Sequence, residues 1–561
     1  MKRRLMSIAL SLVMLITAAA TASCGSKDDV SDVGTEQIAN AMTLTIYGIK
    51  GKGTTDEAIA LVQEAMSRIT EAQFNTAIQL MLYTEDEYDK VLEAKMDEIQ
   101  ERLDLAAAEA EAKKAAEKEA KKNGTVTETE ETSAEESTEY VDETILDEYG
   151  LVETFYPAVE ENQLDIFLMT DYDMFMKYSE KGVLSALDES LSSSSKLLKS
   201  YIYPTILDAG KIGKTTYAIL NNQPIGEYTF MLTSKTLMDK YYYDPEDFGC
   251  IYDALEYITE VGENDRAYTP FVGDTSPLNV NYFTADGSKT IVGNMPDTNS
   301  ELGATGTPKT LFYVKNWTKH IKAVKQLEES GYIGKSTVSA GDKFGCAIVK
   351  GTWSDVEAFE EDYYVTVIQN PQATTENIYN GMFAVSTYTK NLSRSMEILT
   401  YLNTKSDLRN LFAYGIEGVH YELDKEGVVK KLSDDYNMKL EYTGNEMICY
   451  PPEGSSPDIW ENAKTQNLDM ITSPYFGFKI DETQIDPSVL KGVKSLSDRF
   501  YRELSTKSYE ELEDWMTEFW DIADEDEDVQ AFIATEDEDT EDEYVPMGKL
   551  YSDWFSTVSA S

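Results

Sequence analysis

The stretch Met42-Thr43-Leu44-Thr45-Ile46-Tyr47-Gly48-Ile49 opens the pattern that decides the fold. It is short, apolar and followed by a Gly/Lys/Thr loop, which predicts a buried strand. Thr54 or Thr55 then caps a helix predicted over 56–71, and a second strand over 74–83 and a second helix follow. Alternation of strands and helices is typical of a parallel sheet covered by helices, so the predicted fold class is α/β.

The same alternation of strands and helices continues along the chain, and a second series of elements begins near residue 228. The further strands are predicted over 164–169, 215–219, 228–233, 345–349, 363–368 and 382–386. The further helices are predicted over 171–178, 316–329, 391–403, 405–413, 486–505 and 509–522. Because the rhythm restarts midway and a strand returns near 382, we expect two α/β lobes joined by at least two crossings.

Two segments interrupt this pattern. Residues 103–122 are mostly Ala, Glu and Lys with no apolar stripe after Leu105, which predicts a solvated helix. Residues 125–139 are mostly Thr, Glu and Ser and are predicted to be disordered, so we interpret 103–140 as an insertion. The run 521–543 contains no Lys or Arg and lacks the alternating ligands and the glycine of a calcium loop. We therefore interpret it as a solvated acidic loop.

The N-terminus has the order of a secretory signal. Lys2, Arg3 and Arg4 precede an apolar run, and small residues lead to Cys24. A cysteine at this point predicts a bacterial lipoprotein whose thiol carries a lipid, although Thr21 stands where leucine is usual. The alternatives are an ordinary cleaved signal with an incidental cysteine, or an uncleaved anchor, for which the apolar run is short.

Composition excludes some classes of partner. Lys and Arg total 49 against 102 Asp and Glu, a formal charge of −53, which repels nucleic acid and anionic lipid. Cys250, Cys346 and Cys449 have no metal-ligand spacing and are interpreted as buried small hydrophobes. The chain has two histidines and none of the G-x-S-x-G, H-E-x-x-H or P-loop motifs, so the sequence predicts neither catalytic residues nor a cofactor or metal.

Several short segments, taken in order, resemble a known family. They are Ile46-Tyr47-Gly48-Ile49, Asn162-Gln163-Leu164-Asp165-Ile166, Leu184-Ser185-Ala186-Leu187-Asp188, Tyr217-Ala218-Ile219-Leu220-Asn221-Asn222, Tyr414-Gly415-Ile416-Glu417-Gly418-Val419-His420-Tyr421 and Trp460-Glu461-Asn462-Ala463-Lys464. Together with the lipoprotein signal, they resemble extracellular solute-binding proteins of family 1, the lipid-anchored receptors of ABC importers. The resemblance covers about 41–100 and 141–520. It implies a two-lobe, periplasmic-binding-protein-like (type II) fold, in which a hinge closes the lobes on a ligand.

The predicted domains follow from this comparison. They are a signal peptide (1–23), a flexible tether (24–40), a first part of lobe I (41–227), lobe II (228–380), a return to lobe I with C-terminal helices (381–520) and an acidic C-terminal extension (521–561).

Candidate ligand contacts come first from strand ends, where open parallel sheets bind ligands. Tyr47 and Tyr83 end the first two strands, Tyr172 and Asp173 follow the third, and Asn222 follows the strand over 215–219. An ordinary loop or capping role is equally compatible with each of them.

The resemblance implies further candidates. Trp353 stands in the loop that often supplies an aromatic platform in this family, with core packing as its alternative role. Met382 lies on the returning strand as part of the hinge floor, and Tyr414 and Glu417 lie in the matched segment. His420 in that segment is interpreted as a structural residue.

The predicted function is capture of a carbohydrate, an oligosaccharide above all, by a monomer tethered through Cys24 to the outer face of the cell membrane. The expected partners are the carbohydrate, the permease subunits and the membrane, and no nucleic acid. A sensor lipoprotein of the same fold and a lipid-anchored glycoside hydrolase remain alternatives, and polyamine or ferric iron remains an alternative ligand.

Overall fold

The opening strand becomes the second strand of a five-stranded sheet. The computed structural model describes residues 41–122, 156–276, 283–284, 290–294, 308–314, 316–339, 341–473, 475–536 and 544–559. Cys24, the tether over 24–40 and the predicted disordered segment 125–139 lie outside these ranges. The described residues from Met42 onward form one compact unit.

The elements follow one another in the order predicted. In the first lobe they are β1 (Met42–Ile49), α1 (Asp56–Phe74), β2 (Thr76–Tyr83), α2 (Glu85–Lys122), β3 (Ile166–Met169), α3 (Tyr172–Glu180), α4 (Asp188–Ser192), α5 (Pro204–Ala209), β4 (Lys211–Ile212), β5 (Thr215–Thr216) and β6 (Ala218–Leu220). In the second lobe they are β7 (Tyr228–Ser234), α6 (Lys235–Tyr241), α7 (Leu255–Asn264), β8 (Thr269–Gly273), β9 (Phe283–Thr284), β10 (Val292–Asn294), β11 (Lys309–Thr310), α8 (Trp317–Glu329), β12 (Phe344–Gly351), α9 (Trp353–Val356) and β13 (Tyr363–Gln369). The remaining elements are β14 (Gln372–Ala373), α10 (Thr375–Ile378), β15 (Met382–Val385), α11 (Leu392–Thr404), α12 (Ser406–Tyr414), β16 (Tyr421–Leu423), β17 (Val429–Lys431), α13 (Ile459–Asp469), β18 (Ile471–Thr472), α14 (Pro487–Leu504), α15 (Tyr509–Glu525), α16 (Glu527–Ile533) and α17 (Met547–Ser559).

Local sequence explains how the first elements begin and end. Six consecutive residues of β1 are buried, as expected for a strand covered on both faces. The Thr55 hydroxyl accepts a hydrogen bond from the Ala58 amide and caps α1. Asn75 adopts the left-handed conformation and ends α1, so that β2 begins at Thr76 rather than at Phe74.

Each lobe has its own main sheet. The first has the strand order β2-β1-β3-β15-β6, in which β1, β2 and β3 are parallel and β15 is antiparallel to both its neighbours. The second has the order β13-β7-β12-β8, in which β7 is antiparallel to both its neighbours and β12 is parallel to β8. The strand β15 therefore returns the chain from the second lobe into the first sheet.

The buried carboxylate of Asp165 joins the central strands of the first sheet. Its Oδ2 accepts hydrogen bonds from the Thr45 amide and hydroxyl, both at 2.9 Å, and from Gln163 Nε2 at 2.7 Å. Its Oδ1 accepts from the Thr389 hydroxyl at 2.8 Å and from the Lys390 amide at 2.7 Å. One side chain thus connects β1, the start of β3 and the loop after β15.

The predicted helix is confirmed as far as Lys122, and its side chains over 103–115 are exposed. It is the C-terminal half of α2, which runs from Glu85, and Leu105 on it is 60% exposed. None of the helices in the described part of the chain combines the length and the apolar character that crossing a bilayer requires.

The interpretation of 521–543 as a solvated loop is wrong over its described part. The helix α16 covers 527–533, and Asp526 caps it by accepting from the Val529 amide. Val529 and Phe532 stand three residues apart and are buried, so a short apolar face folds the acidic run onto the protein. The last helix, α17, likewise buries Met547 and Tyr551, so the C-terminus is more than an acidic extension.

The C-terminal helices share a core with residues from the middle of the chain. Apolar side chains of α14–α17 share one core with Ile291, Val292, Leu311 and Phe312, which lie within 228–380. The grouping of the helices up to residue 520 with lobe I stays a prediction. Trp515 is buried in this core, whereas Trp520 is 39% exposed and lies against Phe312 and Tyr313.

Asp165→Asn should destabilise the first lobe by about 3 kcal/mol. The five donors that now hydrogen-bond to the two carboxylate oxygens would then face one amide oxygen and an NH₂ group, which cannot accept. The measurement is urea unfolding followed by circular dichroism. Asp173→Asn is the matched control, since Asp173 is exposed and its ion pair with Lys479 should contribute less than about 1 kcal/mol. Equal losses in the two variants would contradict the structural role of Asp165.

Candidate functional site between the lobes

The carboxyl ends of the strands in both sheets lie at the connections between the lobes. The chain leaves β6 at Leu220, crosses over 221–227 and enters β7 at Tyr228, which pairs with Gly351 at the end of β12. It crosses back over 370–381 and enters β15 at Met382, which pairs with Met169 at the end of β3. Strand ends from both sheets therefore border the space between the lobes, as in ligand clefts of open α/β sheets.

We call these borders the first rim and the second rim. The first rim consists of Lys50, Tyr83, Thr84, Glu85, Thr170, Asp171, Tyr172, Asn221 and Asn222. The second rim consists of Asp274, Lys350, Gly351, Thr352, Trp353 and Gln369.

Side chains of α13 fix the crossing over 221–227. Asn467 donates to the Gln223 carbonyl at 2.7 Å and accepts from the Ile225 amide at 2.9 Å. Gln466 donates to the Gly226 carbonyl at 2.6 Å. These buried amide side chains therefore provide hydrogen-bond partners for backbone groups of the crossing, which does not pair with a strand.

A segment over 434–446, which we call the strap, lies across the first rim. The Asn437 carbonyl accepts from the Gly51 amide at 2.8 Å, and the Glu441 carbonyl accepts from Asn221 Nδ2 at 2.7 Å. Lys439 forms an ion pair with Glu85 at 2.9 Å. The strap thus contacts the rim after β1, β2 and β6.

The fully buried side chain of Arg409 holds the far end of the strap. Its guanidinium donates to the carbonyls of Leu440, Gly444 and Asn445 at 3.0, 3.3 and 3.0 Å and to the Thr443 hydroxyl. A buried charge requires this number of acceptors, so the position of the strap depends on Arg409.

Charged groups of the rim and the strap surround Tyr442. Burial raises the pKa of the Tyr442 hydroxyl, the charge of Lys439 opposes the rise, and Glu85, Glu441 and Asp171 add to it. The Lys439 ammonium lies 4.9 Å from the ring centroid. Tyr442 itself is buried in the first-lobe core, so the rim gathers these charged groups beside a packed ring and offers their polar atoms to the space between the lobes.

The second rim contains one aromatic ring, the indole of Trp353. Trp353 is half-buried at the start of α9, with ring centroids 5.0 Å from Phe230 and 6.0 Å from Tyr228. Thr352 and Asp355 cap this short helix reciprocally and fix the loop. Beside it Asp274 and Lys350 form an ion pair at 3.3 Å. Trp353 thus packs on the second-lobe core and retains exposed surface.

Two predicted ligand contacts lie in the core instead. Met382 has no exposed surface, because β15 is a central strand rather than the floor of an open hinge. Tyr47 is also buried, in ring contact with Tyr83 at 6.4 Å. Burial, followed by the charges of Tyr83, Asp165 and Glu98, raises the pKa of Tyr47 to about 12.

Tyr83, Tyr172 and Asp173 lie at the first rim as their strand-end positions predict, and their contact with a ligand stays a prediction. Tyr83 is half-buried and exposed enough for contact. The Tyr172 hydroxyl donates to the Gly477 carbonyl at 2.8 Å, and Asp173 pairs with Lys479. Both are therefore already engaged by the loop that precedes the C-terminal helices.

The remaining candidates have local partners. Asn222 is buried, and its Nδ2 donates to the Tyr201 carbonyl at 3.0 Å. The Tyr414 hydroxyl donates to the Tyr450 carbonyl at 2.8 Å, and Glu417 is exposed. His420 is buried and its Nδ1 accepts from the Ile416 amide at 2.9 Å, in keeping with the expected structural role.

The structure also brings forward residues that the sequence did not single out. Glu85 and Asp171 each begin the first turn after a rim strand, a signal that could have been used. Lys439 and Tyr442 reach the rim only because Arg409 folds the strap across it, and no local pattern announces this. Within the described ranges there is no group of three or more His, Cys, Asp or Glu side chains that could hold a metal ion. The three cysteines in the described part of the chain are buried, as predicted, and they are free.

Comparison with known proteins agrees with this fold. No family model matches the chain. A carbohydrate ABC transporter substrate-binding protein of Streptococcus pneumoniae serotype 4 is 24% identical over 359 residues, which are 60% of this chain and 71% of that protein. The crystal structure of the N-glycan transport solute binding protein (NgtS) from Streptococcus pneumoniae superposes with a TM-score of 0.52 at 16% identity, covering 92% of this chain and 98% of that one.

The fold is therefore that of a two-lobe solute-binding protein, as the sequence predicts. The resemblance inferred from the sequence segments is confirmed at the level of a similarity to carbohydrate ABC transporter substrate-binding proteins.

A buried carboxyl in the strap should make stability depend on pH. Burial raises the pKa of Glu446 from 4.5 to about 7, against the opposing charge of Arg409. Between these values the folded protein keeps a proton that the unfolded chain releases, so stability should fall as pH rises through this window. Glu446→Gln should remove this loss, which is at most about 3 kcal/mol.

The measurement is urea unfolding of both proteins at pH 5 and pH 8. The two buried histidines, whose pKa values are lowered by burial, act in the opposite direction, but they cancel in the difference between variant and wild type. The exposed Glu453→Gln is the control and should leave the pH dependence unchanged. A Glu446→Gln profile parallel to that of the wild type would contradict the assignment.

Proposed function

We propose that this chain is the extracellular solute-binding lipoprotein of an ABC importer, and that it captures an oligosaccharide between its two lobes and delivers it to the membrane permease. The observation that carries the proposal is the pair of rims that border one interlobe space, in a fold shared with NgtS. The curated relative is named a carbohydrate ABC transporter substrate-binding protein, which supports carbohydrate as the ligand class.

The chemistry of the rims supports the same ligand class. Sugars present an apolar C–H face and a rim of hydroxyls, so their sites combine aromatic rings with hydrogen-bonding groups. Trp353 on the second rim and Tyr83 on the first supply ring surfaces. Asp171 and Glu85 are exposed carboxylates, and their oxygens are suitable acceptors for the hydroxyl groups of a sugar. Closure of the hinge would bring the two sets of groups onto one ligand.

The competing functions make different demands. A ligand-presenting sensor would bind the same carbohydrate without a permease, so permease genes beside this one favour import. A glycoside hydrolase would release product from a bound glycan. We propose that the chain binds without catalysis, as a monomer, because capture and delivery need only the differential affinity of open and closed states.

Oligosaccharides should raise the melting temperature of the full chain. A ligand at about 100 times its Kd adds about 2.7 kcal/mol, which moves the midpoint by a few degrees. The measurement is a thermal-shift screen with mono- and oligosaccharides, with spermidine and ferric iron as the competing ligand classes. A shift with spermidine or iron alone would contradict carbohydrate binding while keeping the fold.

The same screen tests the role of Trp353. Trp353→Leu should weaken affinity for the active oligosaccharide about tenfold, equivalent to about 1.4 kcal/mol, because the ring surface is lost. Trp520→Leu is the matched control, since Trp520 is likewise part-exposed but lies on α15. Similar affinities of the two variants would exclude Trp353 from the ligand site.

We further propose that Cys24 carries the lipid that holds the protein at the outer face of the membrane. Cys24→Ser should move the protein from the membrane fraction to the medium, because a polar tether has no affinity of its own for the bilayer. The readout is detergent phase partitioning of cells expressing each form. Cys449→Ser, a buried cysteine in the folded domain, is the control. Retention of Cys24→Ser in the membrane would indicate an uncleaved anchor instead.

A further inference from the structure

The loop after β1 is engaged by the strap. The Asn437 carbonyl accepts from the Gly51 amide at 2.8 Å and from the Thr54 hydroxyl at 2.9 Å. The Asp435 carbonyl accepts from the Thr55 amide at 2.9 Å. In an open α/β sheet, a loop at the carboxyl end of a strand is where a ligand binds. Because the strap lies across the first rim and bonds to this loop, it stands between the loop and the space between the lobes.

Glu441 lies on the strap at the place where the two crossings meet. Its carbonyl oxygen accepts from Asn221 Nδ2 at 2.7 Å, in the crossing that leaves β6. The same oxygen packs on Gly381, at the end of the crossing that enters β15, where a Cβ would clash with it. The Asn221 amide also donates to the Gly381 carbonyl at 3.1 Å. Glu441 is therefore at the base of the interlobe space, beside the end of β6 and the start of β15.

The side chain of Glu441 is the outward one of its turn. Leu440 packs against a small core that contains Trp460, and Tyr442 is buried in the first-lobe core. Glu441, between them, is half-buried. Arg409 holds this turn by donating to the Leu440 carbonyl at 3.0 Å. The Glu441 carboxylate is thus placed at the rim by hydrogen bonds to backbone carbonyls, which leave its own oxygens free.

The Glu441 carboxylate has no hydrogen-bond or ion-pair partner among the residues that the structure describes. By contrast, Glu85 and Asp274 at the rims each pair with a lysine, at 2.9 and 3.3 Å. Burial raises the pKa of Glu446 to about 7, the charge of Arg409 opposes the rise, and the charge of Glu441 adds to it. A half-buried carboxylate beside a second carboxyl group is stabilised by any ligand that brings hydrogen-bond donors to it.

Two kinds of donor suit this carboxylate, an ammonium group and the hydroxyl groups of a sugar. The ammonium groups of Lys50, Lys350 and Lys439 already lie at the rims and the strap, which disfavours a polycation. Neutral hydroxyl groups meet no such repulsion, and the two oxygens of a carboxylate can accept from two neighbouring hydroxyls. The donors that fit best are therefore those of a neutral sugar.

We propose that Glu441 is a ligand-binding residue whose carboxylate accepts hydrogen bonds from two adjacent hydroxyl groups of one neutral sugar unit. The inference rests on the proposed function and deepens it, since it names a side chain that selects the sugar unit at the base of the cleft. A unit in which one of these hydroxyls is substituted leaves a carboxylate oxygen without its donor and is bound more weakly.

Isothermal titration of the full chain with maltotetraose, chitotetraose, mannotetraose and lacto-N-tetraose tests the assignment. Glu441→Gln should raise the Kd of the tetrasaccharide that binds the wild type at least tenfold, because a charged acceptor forms stronger hydrogen bonds than an amide oxygen. Glu71→Gln is the matched control and should leave the Kd unchanged. Glu71 is half-buried and without an ion pair among the described residues, and it lies near the end of α1, at the opposite edge of the first sheet.

Urea unfolding of Glu441→Gln separates a folding defect from a binding defect. Its midpoint should be no lower than that of the wild type, because the bond to Asn221 uses the backbone carbonyl and a charge beside Glu446 is removed. A lower midpoint would assign Glu441 a structural role and overturn the inference. An unchanged Kd would overturn the inference and leave the proposed function intact. A wild type that bound none of the four tetrasaccharides would overturn both, since each of them carries adjacent free hydroxyl groups.

Discussion

The first lobe depends on the satisfaction of one buried carboxylate. Asp165 accepts five hydrogen bonds from β1, from the residues before β3 and from the loop after β15. A buried charge is tolerated only with such a set of donors, and the set exists only when the returning strand lies in its place beside β3. Return of the chain from the second lobe is therefore coupled to the register of the first sheet. The positions of both crossings, and hence of the cleft, follow from that coupling.

A second buried charge, that of Arg409, likewise fixes a segment through its hydrogen bonds, and this segment lies at the first rim. Arg409 gathers three backbone carbonyls and one hydroxyl of the strap, and the strap in turn carries Lys439 and Tyr442 to the first rim. Around the crossing, Asn467 and Gln466 satisfy backbone groups that have no sheet partner. The region between the lobes is thus rich in buried polar groups, and each one fixes a segment that hydrophobic packing alone would leave undefined.

Much of the fold could be predicted from the sequence because its elements have strong local signals. The buried run of β1, the cap at Thr55 and the restart at Tyr228 each fix an element within a few residues of its observed bounds. For the acidic run after 521, the many charges predict a solvated loop, which is wrong. Val529 and Phe532 within it are buried against helices that are distant in sequence, and no local pattern indicates this. At the site, strand ends correctly located Tyr83 and Tyr172 at the rim. The strand-end argument gives no accessible position for Tyr47, because β1 is covered on both faces and Tyr47 is buried with it. No local pattern predicts the strap, because a long-range hydrogen-bond network holds it in place.

Above all, we propose that an oligosaccharide binds between the lobes and selects a closed arrangement of them. Small-angle X-ray scattering of the full chain, with and without the oligosaccharide that stabilises it most, tests this claim directly. The account predicts that the radius of gyration falls on saturation with the oligosaccharide and stays constant with a sugar that does not bind. A saturated protein with an unchanged radius of gyration would contradict capture by lobe closure.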